Sequence, residues 1–185
     1  ILGEGDFAEL FFENRCDESG NKANTATVDA DVANSDMTVS DSDPANVRCV
    51  DPGIELLKQV SLTGGAPFFD ADTANAPDVP EGEIGADATY RLIVRNIGSE
   101  DLTDVRVSDA TLGLNNVLVG NLAAGAEIVI DAGDAGFENL EQANRCDTPG
   151  DKLNTALVSG TGVDSGEEVT DEDPAYVRCL LMPGI

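Results

Sequence analysis

The 185-residue sequence predicts an all-β fold, an immunoglobulin-like antiparallel β-sandwich repeated in tandem about every 130 residues. Three observations predict it. Short apolar runs alternate with polar residues at a period of two, as half-buried strands do. Gly, Asn, Asp and Ser cluster between these runs at roughly 10–20-residue spacing, which suits a sandwich. Finally, residues 41–49 read DSDPANVRC and residues 171–179 read DEDPAYVRC, so the chain nearly repeats itself.

The strands follow in order. Ile54, Leu56, Val60 and Leu62 alternate along a first strand, with Lys58 interrupting the apolar row. ATYRLIVRN at 88–96 puts Tyr90, Leu92 and Val94 on one face and Arg91 and Arg95 on the other. A turn at Asn96–Ser99 leads into LTDVRVSD at 102–109, where Val105 and Val107 alternate. NNVLVGNL at 115–122 and AEIVID at 126–131 continue the pattern, and Phe137 to Asn144 predicts one helical turn. KLNTALVSG at 152–160 and EEVTDEDPAYVRC at 167–179 finish it as a hairpin about a Gly/Asp/Ser turn near 162–166.

The repeat is wider than nine residues. Between Asn14–Cys49 and Asn144–Cys179, 19 of 36 positions are identical without a gap. Self-similarity at this period suits whole small domains rather than solenoid turns. Residues 54–181 therefore predict one complete repeat. Residues 1–50 predict only the second half of another, to be completed by further sequence or by another chain. The chain begins with Ile and carries no signal-peptide pattern, so it is expected to be a processed product or a window of a longer array.

Composition narrows the partners. Ten Lys and Arg against 36 Asp and Glu give a net charge of −26, which repels nucleic acid and anionic membranes. No apolar run approaches the roughly 20 residues of a membrane span, so direct insertion by this segment is not expected. The four cysteines, Cys16, Cys49, Cys146 and Cys179, fall two per copy and 33 apart in each. Zinc would want closer pairs or histidine, and the chain has no His. Buried thiols are the alternative to the disulfides Cys16–Cys49 and Cys146–Cys179. Those bonds would each close a loop stabilising by roughly 3.5–4 kcal/mol and would imply an extracellular setting.

The runs PGIELLKQV at 52–60, FDADTANAPDVPEGEIGADATYRLIVRNIGSEDLTDVRVSD at 69–109, NTALVSG at 154–160 and VTDEDPAYV at 169–177 resemble a widespread repeat of bacterial and archaeal surface proteins. It is a domain-of-unknown-function family with an immunoglobulin-like fold, related in architecture to the cell-adhesion-related domain of bacteria. The resemblance implies a cell-surface stalk, fibre, spacer or adhesin, built from copies of itself.

Catalysis is not expected. Without His, no Ser-His-Asp or Cys-His relay can be assembled. With no Trp and two Tyr, a sugar-cleaving cleft lacks its stacking platform. Two classes of function remain: a non-catalytic repeat of an extracellular filament, fibre or stalk, and a ligand- or carbohydrate-binding adhesin module. The doublets Phe11-Phe12 and Phe68-Phe69 are candidate junction surfaces, since exposed aromatic pairs on so acidic a protein would otherwise be a liability. Paired carboxylates suggest calcium, which takes oxygen ligands from closely spaced Asp. The candidates are Asp70 and Asp72 with Asp109 nearby, Asp29 and Asp31, Asp41 and Asp43, and Asp171 and Asp173. Lys58 also stands where an intramolecular amide to an Asn is conceivable, but the sequence identifies no partner.

Overall fold

The computed structural model describes residues 6–9, 11 and 16–181. The chain divides between Asp51 and Pro52 into two compact units. Among the described residues all regular structure is β, apart from one turn of 3-10 helix at Glu138–Leu140.

The first unit is a hairpin of β1 (Gly20–Asp31) and β2 (Thr38–Cys49), antiparallel throughout its length. Asn34 turns it with φ of 60°, a left-handed conformation that Asn tolerates better than most residues. Cys16 is bonded to Cys49.

The described residues of the second unit hold nine strands: β3 (Ile54–Ser61), β4 (Glu81–Glu83), β5 (Ala88–Asn96), β6 (Leu102–Asp109), β7 (Leu114–Leu122), β8 (Glu127–Ile130), β9 (Glu141–Gln142), β10 (Gly150–Gly162) and β11 (Glu168–Leu180). One sheet runs β4-β11-β10-β6-β7; the other runs β3-β5-β8, with β9 also on β5. Their inner faces meet in one apolar core, as a sandwich requires. The alternation in the sequence is what fills it. Tyr90, Leu92 and Val94 of β5 are sealed against Val105 and Val107 of β6, Val158 of β10 and Val177 of β11. The outer face of β5 carries the arginines: Arg91 pairs with Asp131 at 2.7 Å, and Arg95 bridges Glu55 and Glu127.

Buried polar groups fix the turns. Asn96 donates from Nδ2 to the carbonyls of Glu100 and Leu122 and accepts from the Gly98 N–H. The turn after β5 is thereby tied to β7. Buried Glu100 accepts the N–H groups of Asp164 and Ser165, capping the β10–β11 turn. A Cβ on Gly162 would come within 2.6 Å of that carboxylate, so the turn needs glycine there.

Two expectations need correcting. The helical turn is only three residues long and gives way to β9 at Glu141. The sheets are also not wholly antiparallel, because β4 runs parallel to β11. The reason lies at the edge of β11. Its outward N–H groups need acceptors, and the 71–80 segment supplies them, Arg178 donating to the Pro80 carbonyl and Tyr176 to that of Ala71.

Cys146 is bonded to Cys179, with both sulfurs enclosed. No free cysteine remains, and both disulfides fit an extracellular or secreted protein. Among the described residues, no helix is long and apolar enough to cross a membrane.

Candidate functional site

The two hairpins are built alike. Gly20 pairs with Cys49, Lys22 with Val47 and Val28 with Asp41; in the second unit Gly150 pairs with Cys179, Lys152 with Val177 and Val158 with Asp171. The register is identical over twelve pairs, yet the surroundings are opposite. Val158 and Val177 are 0% exposed, whereas their counterparts Val28 and Val47 are 63% and 45% exposed. Phe137 is buried and its counterpart Phe7 is bare. The first hairpin thus displays a core face with no layer over it among the described residues. Such a face is what a monomeric soluble domain normally hides.

The acidic pair before each proline has a specific task. Along β11 the inner row Cys179, Val177, Ala175 continues back onto Asp173 and Asp171. Those carboxylates reach the edge of β3 in the opposite sheet. Asp171 Oδ2 accepts the Leu56 N–H at 2.8 Å, and Asp173 Oδ2 accepts the Lys58 N–H at 2.5 Å. They replace a missing strand-to-strand ladder and clasp the sandwich shut along that edge. At a strand end such carboxylates would ordinarily be solvated. The signal missed was parity: both Asp fall on the inward face, where a carboxylate needs a donor. In the first hairpin Asp41 and Asp43 stand in the same register but are exposed, and no described N–H is donated to them. They line a mainly apolar groove of about 410 Å³ together with Ala8, Ala26 and Val28.

The calcium candidates sort out clearly. Among the described residues, one set of three carboxylates converges: Asp70, Asp72 and Asp173, with ligand atoms within 4.8 Å of one another. Asp109 is not part of it, because its buried carboxylate is engaged by the Lys58 ammonium and accepts the Leu112 N–H. Asp171 is occupied by Leu56, and Asp31 accepts the Thr38 hydroxyl. Asp29, Asp41 and Asp43 are exposed strand positions on the first hairpin. In the cluster, partial burial and then the Asp72 neighbour push Asp70 up to about 6. Burial above all, with the charges of Asp72 and Asp171, pushes Asp173 to about 6 against the Lys58 N–H. Crowded carboxylates of this kind gain from a bound cation or a proton.

Phe68 and Phe69 are half-buried within the second unit. The Phe69 backbone exchanges both hydrogen bonds with Val60, and the Phe68 ring lies 4.3 Å beneath the Arg91 guanidinium. Phe11 is 84% exposed; Phe12 lies outside the described residues. A hollow of about 590 Å³ in the second unit, lined by Leu102, Leu122, Ala123 and Val163 among others, has no aromatic ring in its wall.

Comparison with known protein families finds no family model that matches the chain, and no curated protein matches it.

Proposed function

We propose that this chain is a non-catalytic, disulfide-stabilised structural repeat of an extracellular filament, fibre or stalk, with immunoglobulin-like units repeating about every 130 residues. The observation that carries this reading is the uncovered hairpin Gly20–Cys49, a register-perfect copy of Gly150–Cys179 without its opposite layer. Its natural complement is a set of strands of the Ile54–Gln142 kind, supplied by another chain or by further sequence. Asp41 and Asp43 stand ready to accept the edge N–H groups of such a first strand, as Asp171 and Asp173 do for Leu56 and Lys58. Completion by added strands joins repeats through main-chain hydrogen bonds and buried apolar rows together. A sugar-binding adhesin is the weaker reading, because the hollow at Leu102–Val163 and the one lined by Gly64, Thr89 and Gln142 both lack an aromatic ring in their walls.

Hydrogen exchange tests the reading. In the dilute chain, amides of β1 and β2 are expected to exchange orders of magnitude faster than their counterparts in β10 and β11. In the assembled material the two hairpins should be protected alike. Equal protection in dilute monomer would overturn the proposal.

Calcium at Asp70, Asp72 and Asp173 is the companion proposal, a clamp that stiffens the second unit. Millimolar calcium should raise its melting temperature by several degrees beyond sodium of matched ionic strength. Asp70→Ala with Asp72→Ala should abolish that difference. The pH dependence follows from the sign of the shifts. The folded values of Asp70 and Asp173, about 6, lie above the ordinary 3.8, so between those limits the folded unit holds protons the unfolded chain has lost. Their stabilising effect is complete below the lower limit and is lost as pH rises through about 6. The calcium increment should therefore shrink at pH 5, where protons occupy the same oxygens. Equal stabilisation by sodium would mean only screening of the net charge.

A further inference from the structure

Lys58, Tyr90, Asp109 and Asn154 form a polar cluster inside the core, and the assembly surface makes no use of it. Lys58 and Tyr90 come from the β3-β5-β8 sheet; Asp109 and Asn154 come from the opposite one. All four are buried, Lys58 and Tyr90 at 0% exposure and Asp109 and Asn154 at 1%. The Lys58 Nζ meets Asp109 Oδ2 and stands 4.9 Å from the centre of the Tyr90 ring. Asp109 is held in place by its other oxygen, which accepts the Leu112 N–H at 3.0 Å. Asn154 lies on the inner face of β10, beside the Tyr90 hydroxyl. Leu157 of β10 pairs with Ser108, so the end of β6 carries Asp109 to the same stretch of that face.

Asn154 is the anomaly. Neither its Oδ1 nor its Nδ2 makes a hydrogen bond of good geometry, and the Tyr90 hydroxyl makes none either, although the Asn154 amide and the Arg145 guanidinium both stand close to that hydroxyl. A sealed carboxamide with both ends unsatisfied is costly and rare. On the other side of Tyr90, 4.9 Å from the centre of its ring, stands a lysine removed from water, where burial favours the neutral, nucleophilic amine.

We propose that Lys58 Nζ and Asn154 Cγ are joined by an intramolecular amide that locks the first strand of the second unit to β10, with Asp109 as the proton relay. The Asp109 carboxylate takes a proton from the Lys58 ammonium. The freed Nζ lone pair then attacks Asn154 Cγ and forms the new C–N bond, while the carbonyl π electrons move onto Oδ1. Asp109 passes the proton to Nδ2 and takes the second proton of Nζ. The old C–N bond breaks as the carbonyl re-forms, and ammonia leaves, carrying away the remaining proton as ammonium. Asp109 ends as the carboxylate it began as. Nothing is oxidised or reduced, and no co-reactant is required. The Tyr90 hydroxyl is the donor at hand to polarise the Asn154 carbonyl.

The link would tie the two sheets together across the core, from the first strand to the penultimate one. Asn24 holds the matching register in the first hairpin, opposite Ala45 as Asn154 is opposite Ala175.

Mass spectrometry of the full chain decides the matter. The expected result is an intact mass lower, beyond the hydrogens lost to two disulfides, by one ammonia. Proteolysis should release a branched peptide joining Lys58 to Asn154, with Lys58 refusing acylation after denaturation. Lys58→Met, Asn154→Ala and Asp109→Asn should each restore the full mass. The wild-type measurement stands even if a variant fails to fold. A full mass with a reactive Lys58 overturns the proposal. So does loss of one water with Lys58 joined to Asp109, which would make Asp109 the acyl donor instead. Ammonia loss without a 58–154 branch overturns it too.

Discussion

Val177→Asp is expected to unfold the second unit, while the same substitution at the matching position, Val47→Asp, leaves the dilute chain's stability nearly unchanged. Val177 lies at 0% exposure in a core shared by both sheets, and a carboxylate there has no donor and no water. Such a change belongs to the severe class and should cost about 4 kcal/mol or more. Val47 occupies the same register opposite Lys22, as Val177 does opposite Lys152, but it already faces solvent. In monomer its replacement should therefore move stability by no more than about 0.5 kcal/mol. On the proposed reading the penalty appears on assembly: if the wild type polymerises, the Val47→Asp chain is expected to form no filaments at the same concentration. Denaturant melts of monomer alongside sedimentation of assembled material check both halves. A large loss in the Val47→Asp monomer would mean that the first hairpin already has a covered core and would remove the basis of the assembly reading.

How the two units came to be legible follows from the same residues. Period-two alternation is a property of local sequence, and it located β3, β5, β6, β10 and β11 because each has one buried face. It could not locate β4, whose Glu-Gly-Glu has no apolar side. That strand exists only because β11 needs acceptors along its edge. The cysteine spacing gave both disulfides, since a duplicated separation of 33 leaves an economical within-copy pairing. The acidic motif was visible as a motif but not as a clasp. Its partners, the Leu56 and Lys58 amides, are 115 residues away and belong to another strand's edge. The candidate ligand Asp109 was misassigned for a related reason. Sequence order places it at a strand end, where acids are usually solvated, whereas the fold turns it onto Lys58. The same long-range contact gathers Asn154 and Tyr90 around that lysine, which no spacing rule could have announced.

Opening the two disulfides should have unequal consequences, with the first hairpin lost before the second unit. Each bond closes a 33-residue separation, so the constraint on the unfolded chain is the same, roughly 3.5–4 kcal/mol by loop closure. What differs is everything else. In the second unit Cys146 is also held by its backbone, its carbonyl accepting the Gly85 N–H at 2.8 Å and its own N–H donating to Ala86 at 3.1 Å. The unit keeps two sheets and a full core when the bond is removed, so Cys146→Ser with Cys179→Ser should lower its stability by about that amount and leave it folded. Among the described residues, the first hairpin has no apolar core to fall back on. Two strands alone are marginal in water, and the described contacts beyond its ladder are a few exposed pairs such as Lys22 with Asp17. Cys16 is exposed whereas Cys146 is sealed, so reductant should reach the first bond at lower concentration. Titrating a phosphine reductant against the native chain, with thiol labelling and hydrogen exchange read together, should therefore show Cys16 and Cys49 labelled and β1–β2 amides fully exchanged while β10–β11 remain protected. If the assembly reading is right, the same titration on filaments should leave β1 and β2 protected after their disulfide opens, because the added layer then holds what the bond alone held before. Simultaneous loss of both hairpins in monomer would show that they share a core, and the description of Gly20–Cys49 as an uncovered copy would fail with it.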